Sequence, residues 1–448
     1  MAATKKNSIR QKLALATCSL LSSQQAASEA VENEWEIDTS FANYRESDDR
    51  VKVTKFIVDV GGNISERDNI DLMVVFDTMT GSTPTGSVLQ SNVVSVTGTS
   101  GAGGFNAQGE ATALAPFSDT RLALKLDWEH ENNRNRRTRI GSNISVEKDY
   151  ISIGGSYSVN FDVRNKLTTY ELGVAFSLDE ISQTGGETPE PMANVNTARF
   201  FDEGERNAIE AIAGITNVMS PRLLWQNNLW VAASDGYHTD PYKVISVIAN
   251  QQDLQLLADQ ELQSLANQAG VPVSQLGDVG IDANQITAQF LSQKIEASRL
   301  HESRPDTRKR IAYYSKFVYS LSETQTAHLS YRYYTDDWEI DAHTIDYKHR
   351  FKFGEEQYFE PHFRYYQQSA AEFFAAGIER GTTLPQYASA DNRLDDMTGI
   401  TAGINFGKPV GDNAEIRARL EYISWEAEEA IINETDAFLL QISFRKGF

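Results

Sequence analysis

Cysteine is almost missing. Cys18 is the only one in 448 residues, and it stands in the N-terminal segment. The rest of the chain therefore carries neither a disulfide nor thiol chemistry. Long apolar runs are missing as well. No stretch of about 18 apolar residues occurs, so no helix is expected to span a membrane. Cations are scarce beside anions: 41 Lys and Arg stand against 62 Asp and Glu, a net charge of −21. A phosphate-binding surface needs clustered Lys and Arg, so no nucleic acid is an expected partner. Catalytic patterning is lacking too. His238, His301, His328, His343, His349 and His362 are scattered, with no metal-ligand spacing and no serine–histidine–aspartate order. No enzyme and no cofactor are expected.

Residues 1–30 read as a cleaved signal peptide. Lys5, Lys6, Arg10 and Lys12 make its basic start, Leu13 to Leu21 a short apolar stretch, and small residues place the cut near Ala27 or Ala30. The expected mature chain is 31–448, and the expected location is the outer membrane of a Gram-negative cell.

After residue 34 the dominant period is two, the period of a strand. Leu122, Leu124, Leu126 and Trp128 share a face, with Arg121, Lys125, Asp127 and Glu129 between them. Tyr170, Leu172, Val174, Phe176 and Leu178 alternate in the same way, as do Ile416, Ala418, Leu420 and Tyr422. Sixteen such segments lie near 34–47, 50–62, 67–78, 119–130, 135–147, 149–162, 166–178, 205–217, 221–234, 308–321, 325–336, 341–353, 356–369, 396–407, 413–425 and 435–448. Each is about the length a tilted strand needs to cross a bilayer. In a soluble sandwich the polar face would be ordinary solvent surface. Here it is rich in both signs of charge, which suits a wet lumen.

The connections sort by length. Counted from a periplasmic N-terminus, every long one is odd: 79–118, 179–204, 235–307, 370–395 and 426–434. The even ones are short turns. Short periplasmic turns and long outer loops are the asymmetry of a bacterial outer-membrane barrel. The expected fold is an all-β, antiparallel, up-and-down transmembrane barrel of about sixteen strands. The loop 79–118 is rich in Gly, Ser and Thr and reads as a mobile loop. The loop 235–307 carries helical patterns at 251–268 and 283–299 and reads as a plug or cap. Aromatics near strand ends, Tyr313, Tyr314, Tyr331, Tyr333, Tyr334, Trp338, Tyr358, Phe359, Tyr365, Tyr366, Phe373 and Phe374, are expected in interfacial girdles.

Several stretches carry a resemblance. They are Thr80 to Thr85, Glu147 to Tyr150, Asp235 to Lys243, Arg304 to Arg308, Tyr331 to Trp338 with His343-Thr344, Arg364 to Phe373, and Ser389 to Arg393. The chain resembles a family of uncharacterised, porin-like proteobacterial outer-membrane barrels, a domain of unknown function. The resemblance implies a location and a fold and brings no catalytic mechanism. The helical insert around 250–300 departs from the pattern.

In the expected topology the resembling stretches meet at the outer rim. The candidate rim network or binding site is Asp235, Tyr237, Asp240, Lys243, Arg304, Asp306, Arg308, Asp336, Asp337, Asp341, Gln367, Asp391 and Arg393. One reading is an Arg–Asp network pinning the long loop to the wall. Others are a solute or partner site, or a calcium site whose hard oxygen ligands come from Thr335-Asp336-Asp337 and Glu339-Ile340-Asp341, with a spacing that matches no known calcium loop. On the lumen face Lys348, Arg350, Arg364, Arg417 and Arg419 are expected to favour anions.

The leading functional expectation is a channel or transport protein for small solutes. The alternative is a non-conducting barrel that anchors or binds a surface or periplasmic partner. A hydrolase working at the outer rim is the third reading. Expected partners are outer-membrane lipid and the outer-membrane assembly machinery. Phe448 matches the aromatic ending that resembling barrels present as their assembly signal.

Overall fold

The structure is a computed structural model, and it describes residues 35–448 apart from 49, 88–93, 98–103, 108–113, 184–185, 293–294, 355 and 412. The expected signal peptide lies outside the described residues. Sixteen antiparallel strands close into one barrel. They are β1 (Trp35–Glu46), β2 (Lys52–Asn63), β3 (Asp68–Pro84), β4 (Leu114–Asn133), β5 (Arg136–Val146), β6 (Tyr150–Val163), β7 (Thr168–Ile181) and β8 (Gly204–Ser220). The ring continues with β9 (Leu223–Gly236), β10 (Thr307–Ser322), β11 (Gln325–Asp336), β12 (Asp341–Phe353), β13 (Gln357–Gln368), β14 (Met397–Pro409), β15 (Ala414–Ala427) and β16 (Glu434–Gly447). Each strand pairs with its neighbours in sequence, and β1 pairs with β16. The seam leaves no edge open: Phe41 faces Ile442, and the Ser40 and Ser443 hydroxyls meet at 2.7 Å.

The polarity of the two faces is reversed from that of a soluble protein. Leu122, Leu172, Ile209, Leu420 and Phe438 point outward and are exposed, while Asp77, Arg121, Asp179, Arg206 and Glu421 point inward and are buried. Water would penalise an apolar belt of that extent, and lipid does not. The alternation follows from the pleat, because every second side chain meets lipid and its neighbour meets the lumen. A soluble sandwich is excluded by this arrangement.

The outer rim differs from expectation in three places. First, β3 runs to Pro84 and β4 begins at Leu114, with Pro84 facing Leu114, so the connection is shorter than 79–118. The added pairs stand above the apolar belt. Hydrogen-bonded backbone there needs no apolar face, which hid the extension in Thr80 to Pro84. Second, the helix expected over 283–299 stops early. Helix α1 (Gln251–Ala269) matches its pattern, and α2 spans only Ala283–Leu291. Glu296–His301 is instead a strand paired with Val244–Ile248, which also lies beside Ile378–Glu379. Third, the aromatics divide between the faces. Tyr313, Tyr331 and Phe359 point outward and are exposed, but Tyr334 and Trp338 are buried in a cluster with Ala342, Ala371 and Leu394. Tyr366, Phe373 and Phe374 pack against the same cluster. Clustering near strand ends does not say which face a ring takes; strand parity does.

Helix α1 starts on a reciprocal cap, in which the Asn250 side chain takes the Asp253 amide at 2.9 Å and the Asp253 carboxylate takes the Asn250 amide at 3.3 Å. It ends at Gly270 in the left-handed conformation, φ 69°. Leu262, Ala266 and Leu276 form a small core with Leu265, Val271, Ile281 and Ile286. This helical unit therefore carries an apolar core of its own.

Candidate functional site

The rim loops arise from strands far apart around the ring. The segment after β9 reaches the end of β3, six places away among sixteen. There the Val244 amide donates to the Thr85 carbonyl at 2.9 Å, and Lys243 Nζ donates to the Pro84 carbonyl. On the way the Gln183 side chain, after β7, donates to the Pro241 carbonyl. The segment before β10 joins the loop before β14, where the Ser303 amide meets the Ala388 carbonyl at 3.0 Å. A segment that leaves β9 and lands on β3 crosses the mouth. The outer end of the barrel is spanned by protein.

A buried ionic clasp holds the crossing. Arg304 donates from Nε to Glu302 at 2.6 Å and from Nη2 to Asp391 at 2.9 Å. Arg393 donates from Nε to both Asp391 oxygens at 2.8 Å and from Nη2 to Asp240 at 3.0 Å. Lys243 Nζ lies 3.8 Å from Asp391. The Asp240 amide and the Ser389 hydroxyl both donate to Glu302. Three separate loop segments thus share one set of charges. Burial works to raise the Asp391 pKa, but Arg393, Lys243 and Arg304 override it and hold the carboxyl well below the usual carboxylate range. The opposite shift, upward, falls on Arg393, where Asp391 outweighs burial. Charges this deep persist because each is both paired and hydrogen-bonded.

The remaining rim residues fall in several places. Arg308 binds Asp336 through two nitrogens and lies 4.1 Å above the Trp338 ring centre. Tyr237 packs where Gly204 has no side chain, since a Cβ there would come within 2.4 Å of its ring. The Tyr237 hydroxyl is buried with no hydrogen-bond partner among the described residues. Asp235, Asp306, Asp337, Asp341 and Gln367 are exposed and stand outside the clasp. Asp337 accepts the Lys309 amide at 2.8 Å, and Asp341 accepts the Tyr333 hydroxyl at 2.8 Å. Asp336, Asp337 and Asp341 are thus engaged separately. Among the described residues no group of three or more His, Cys, Asp or Glu side chains is arranged to hold a metal ion.

Glu302, Ser389, Gln368 and Asp395 also contribute although none stands among the candidate site residues; Gln368 and Ser389 lie in stretches that the sequence reading placed at the rim. Gln368 Nε2 donates to the Arg393 carbonyl at 3.1 Å and to the Asp395 carbonyl at 2.8 Å. Asp395 accepts the amides of Glu429 and Ala430, each at 2.7 Å, and so ties the β15–β16 loop to the same assembly. Inward parity on β13 was the available signal for Gln368. Glu302 had a weaker one, its place two residues before Arg304.

A second anchor lies on the β5–β6 turn. The Tyr242 hydroxyl donates to Asp149 there. Burial pushes Glu147 up to about 10, reinforced by Asp119. Burial also pushes Asp149 up to about 8, against the Tyr242 bond. Earlier on the same segment as Tyr242, His238 is driven down to about 3 by burial and by Arg206. Its Nδ1 sits 2.8 Å from the Gly236 carbonyl and its Nε2 2.8 Å from the Ser234 hydroxyl, the pattern of a neutral ring.

Below the rim the lumen wall is charged. Arg350 meets Glu360 at 2.8 Å and stacks 3.9 Å from the Tyr358 ring centre. Arg364 meets Asp346 at 2.9 Å, Arg417 meets Asp38, and Arg419 meets Glu421 at 2.6 Å. The two walls differ. Inward positions on β1 to β4 carry Asp38, Asp59, Asp71, Asp77 and Asp127 beside Lys55, Arg121 and Lys125, while those on β10 to β13 carry Arg308, Arg310, Arg332, Lys348, Arg350 and Arg364 beside Asp336, Asp346 and Glu360, so the first is acidic in balance and the second basic.

The sequence profile of a family described as "Protein of unknown function (DUF3570)" matches residues 10–445. No curated protein matches the chain. Among solved structures it is similar to a "Bacterial polysaccharide outer membrane secretin", at 9% identity and a TM-score of 0.42, over 94% of this chain and 100% of that one. It is similar to the outer membrane protein opdK from Pseudomonas aeruginosa, at 9% identity and a TM-score of 0.40, over 92% and 99%. It is also similar to the CymD monoaromatic hydrocarbon channel, at 9% identity and a TM-score of 0.37, over 100% and 95%.

Proposed function

The chain belongs to the DUF3570 family of proteins of unknown function, and from that premise we propose that it is a channel or transport barrel for small solutes in the outer membrane of a Gram-negative cell. The observation that carries the reading is the lumen wall. Charged and polar side chains occupy the inward positions of the ring, and sixteen strands are enough to enclose water. The clasp makes the crossing segment a gate over that lumen. Solutes pass when the segment after β9 swings away from β3. The Arg- and Lys-bearing wall of β10 to β13 favours anions. Phe448, exposed beside Trp35 at the periplasmic end, fits the signal read by the assembly machinery.

Current recordings in planar bilayers test this. Wild-type protein is expected to conduct weakly and intermittently. A variant lacking residues 250–292, or carrying Arg304→Ala with Arg393→Ala, is expected to conduct steadily. Absence of current from all three proteins, each folded by heat-modifiable migration, would overturn the channel reading.

One observation favours a second reading, a barrel that binds a partner. The helical unit exposes Leu256 and Val279 on an acidic, glutamine-rich surface. Such a unit is a candidate contact for another protein at the cell surface, and the bilayer experiment separates the two.

A further inference from the structure

Proline fits poorly inside a paired strand, because it has no N–H to give to the neighbour. Pro84, Pro116 and Pro409 stand at or near the ends of their strands. Pro361 does not. It lies within β13 between Phe359 and Phe363, whose rings point out to lipid and are exposed. Its pairing with Ile404 on β14 is intact, and the pairing with β12 is broken. The register of β12 and β13 runs as far as Lys348 opposite His362 and resumes at Phe351 opposite Phe359. Among the described residues the other seams of the ring are irregular only beside periplasmic turns, at Val218/Ser220, Ser320/Ser322 and Glu131/Asn133.

Several features meet at the break. The His349 carbonyl loses the donor that an amide at position 361 would supply. The His349 side chain adds a second unmet group on the lipid side. Its Nδ1 is 2.9 Å from the Tyr347 hydroxyl, but its Nε2 is buried and has no hydrogen-bond partner among the described residues. The His349 ring stacks on Phe351 with 4.2 Å between centres, and Phe351 stacks on Phe359 at 4.8 Å. Flat rings therefore cover the outside of the break. On the lumen side an ion pair bridges it, where Arg350 donates to Glu360 at 2.8 Å.

Inside a bilayer no water replaces a missing ladder bond, and a closed barrel has no edge strand on which a proline is harmless. Local opening begins where a fold is least paired. We propose that the wall opens between β12 and β13 at Pro361 and joins the lumen sideways to the membrane. The solute that suits such a port is amphipathic. Its polar group follows the charged lumen to Arg350 and Glu360 and meets the unmet groups of His349. Its apolar body passes to Phe351, Phe359 and lipid. The port rests on the channel reading for its use and deepens it by naming a solute class. The opening itself is a property of the wall and does not require current from end to end.

The test is labelling of single cysteines in lipid vesicles. Residues 31–448 carry no cysteine, so in a Cys18→Ser background one added cysteine reports alone. Phe363→Cys and Leu420→Cys both face lipid, and each lies six residues beyond the periplasmic start of its strand, Gln357 or Ala414. A charged thiosulfonate that does not enter lipid is expected to label Phe363→Cys at least about tenfold faster than Leu420→Cys. Pro361→Thr supplies the missing amide and is expected to bring Phe363→Cys down to the Leu420→Cys rate. Hydrogen exchange is a second readout that needs no cysteine. Amides at 349–351 are expected to exchange faster than those at 418–420, and Pro361→Thr to remove the difference. All variants are checked for heat-modifiable migration. Equal labelling of the two cysteines, or labelling and exchange that Pro361→Thr leaves unaltered, overturns the port. Benzyl alcohol is expected to slow the labelling of Phe363→Cys more than methanol at the same concentration; equal effects overturn the amphipathic class. Current in the bilayer experiment without fast labelling keeps the channel reading and removes the port; fast labelling without current does the reverse.

Discussion

His362 and Glu421 meet at 2.6 Å although a whole strand lies between them. His362 is on β13, Glu421 on β15, and the position between them on β14 is Gly403. A Cβ at Gly403 would come within 2.5 Å of the Glu421 side chain. The absence of a side chain there is what opens the path. The other ring nitrogen of His362 lies 2.8 Å from Asp346. Two carboxylates against two ring nitrogens require two N–H donors, so the ring acts as the imidazolium. Gly403→Ala is expected to push Glu421 aside and break the link. A loss of about 1–3 kcal/mol in urea unfolding should follow, the range for a buried charge-assisted bond. Gly277→Ala, where nothing lies within 4 Å of the added carbon, is the matched control. Equal midpoints for the two variants would show that the bond contributes nothing.

The clasp gives a local prediction instead of a global one. Removing Arg393 leaves Asp391 and Asp240 short of a partner inside buried loops. Breaking one side of a buried pair costs about 3–5 kcal/mol. The barrel strands do not depend on that pair, so the cost should appear only at the rim. Arg393→Ala is expected to speed hydrogen exchange at 237–243 and 388–395 while leaving β1 to β16 protected. Arg393→Lys should rescue little, because one ammonium cannot serve three carboxylate oxygens in the plane of a fork. Uniform loss of protection through the barrel would mean that the clasp supports the whole fold.

The barrel was legible because lipid and water impose opposite demands on alternate residues of every strand. Leu122 to Trp128 and Tyr170 to Leu178 announce their strands without reference to any other part of the chain. The clasp lacks such a local signature. Arg393 and its partner Asp240 are 153 positions apart, and nothing near either residue names the other. Gln367 and Gln368 show how fine the margin is. They are adjacent and alike in type. Gln367 points outward beside Tyr365, while Gln368 points inward and binds the Arg393 carbonyl. A shift of one residue exchanges the faces. Composition brought the right stretch to the rim, and only strand parity selects the residue.

The β5–β6 turn should make the gate sensitive to pH. Glu147 rises from 4.5 to about 10 and Asp149 from 3.8 to about 8, each chiefly through burial. The charged and titratable groups around them include Asp119, Asp77, Arg121, Lys148, Tyr242 and Asp240. A carboxyl whose folded value is raised contributes stability that is complete below its unfolded value. That contribution is lost as pH climbs through the folded one. The turn should therefore pack most tightly below about pH 4 and loosen progressively up to about pH 8 to 10, as the cost of the buried charges comes to outweigh the Tyr242 bond, which itself favours the ionised Asp149. Exchange at 237–243, corrected for intrinsic rates, is expected to accelerate by at least about tenfold from pH 6 to pH 9. Glu147→Gln should flatten the upper part of that profile. A flat profile in wild type would remove the turn from the gate.

Selectivity should follow the cationic wall. Lys348, Arg350 and Arg364 lie on the lumen side of β12 and β13, and the last two are tied to Glu360 and Asp346. In the loop-deleted protein, Lys348→Glu is expected to move the reversal potential under a salt gradient toward cations. Arg350→Glu should do so less cleanly, because it also leaves Glu360 unpaired. An unchanged reversal potential in both would place the conducting path away from β12 and β13.

Phe448 separates anchoring from assembly. Its amide donates to the Trp35 carbonyl at 3.0 Å, and its carbonyl accepts from the Trp35 amide at 3.2 Å. Those bonds close the seam and belong to the backbone, so any residue can make them. The ring is 63% exposed and touches little of the barrel. Phe448→Ala is therefore expected to change the unfolding free energy in detergent by less than about 1 kcal/mol, the range for an exposed substitution. If the ring is read during assembly, the same variant should lower the yield of heat-modifiable barrel in cells by far more than that figure allows. Rescue by Phe448→Tyr or Phe448→Trp would mark recognition of an aromatic ring. If yield and stability fall together by the same proportion, the ring is an anchor in the membrane and its role as a signal fails.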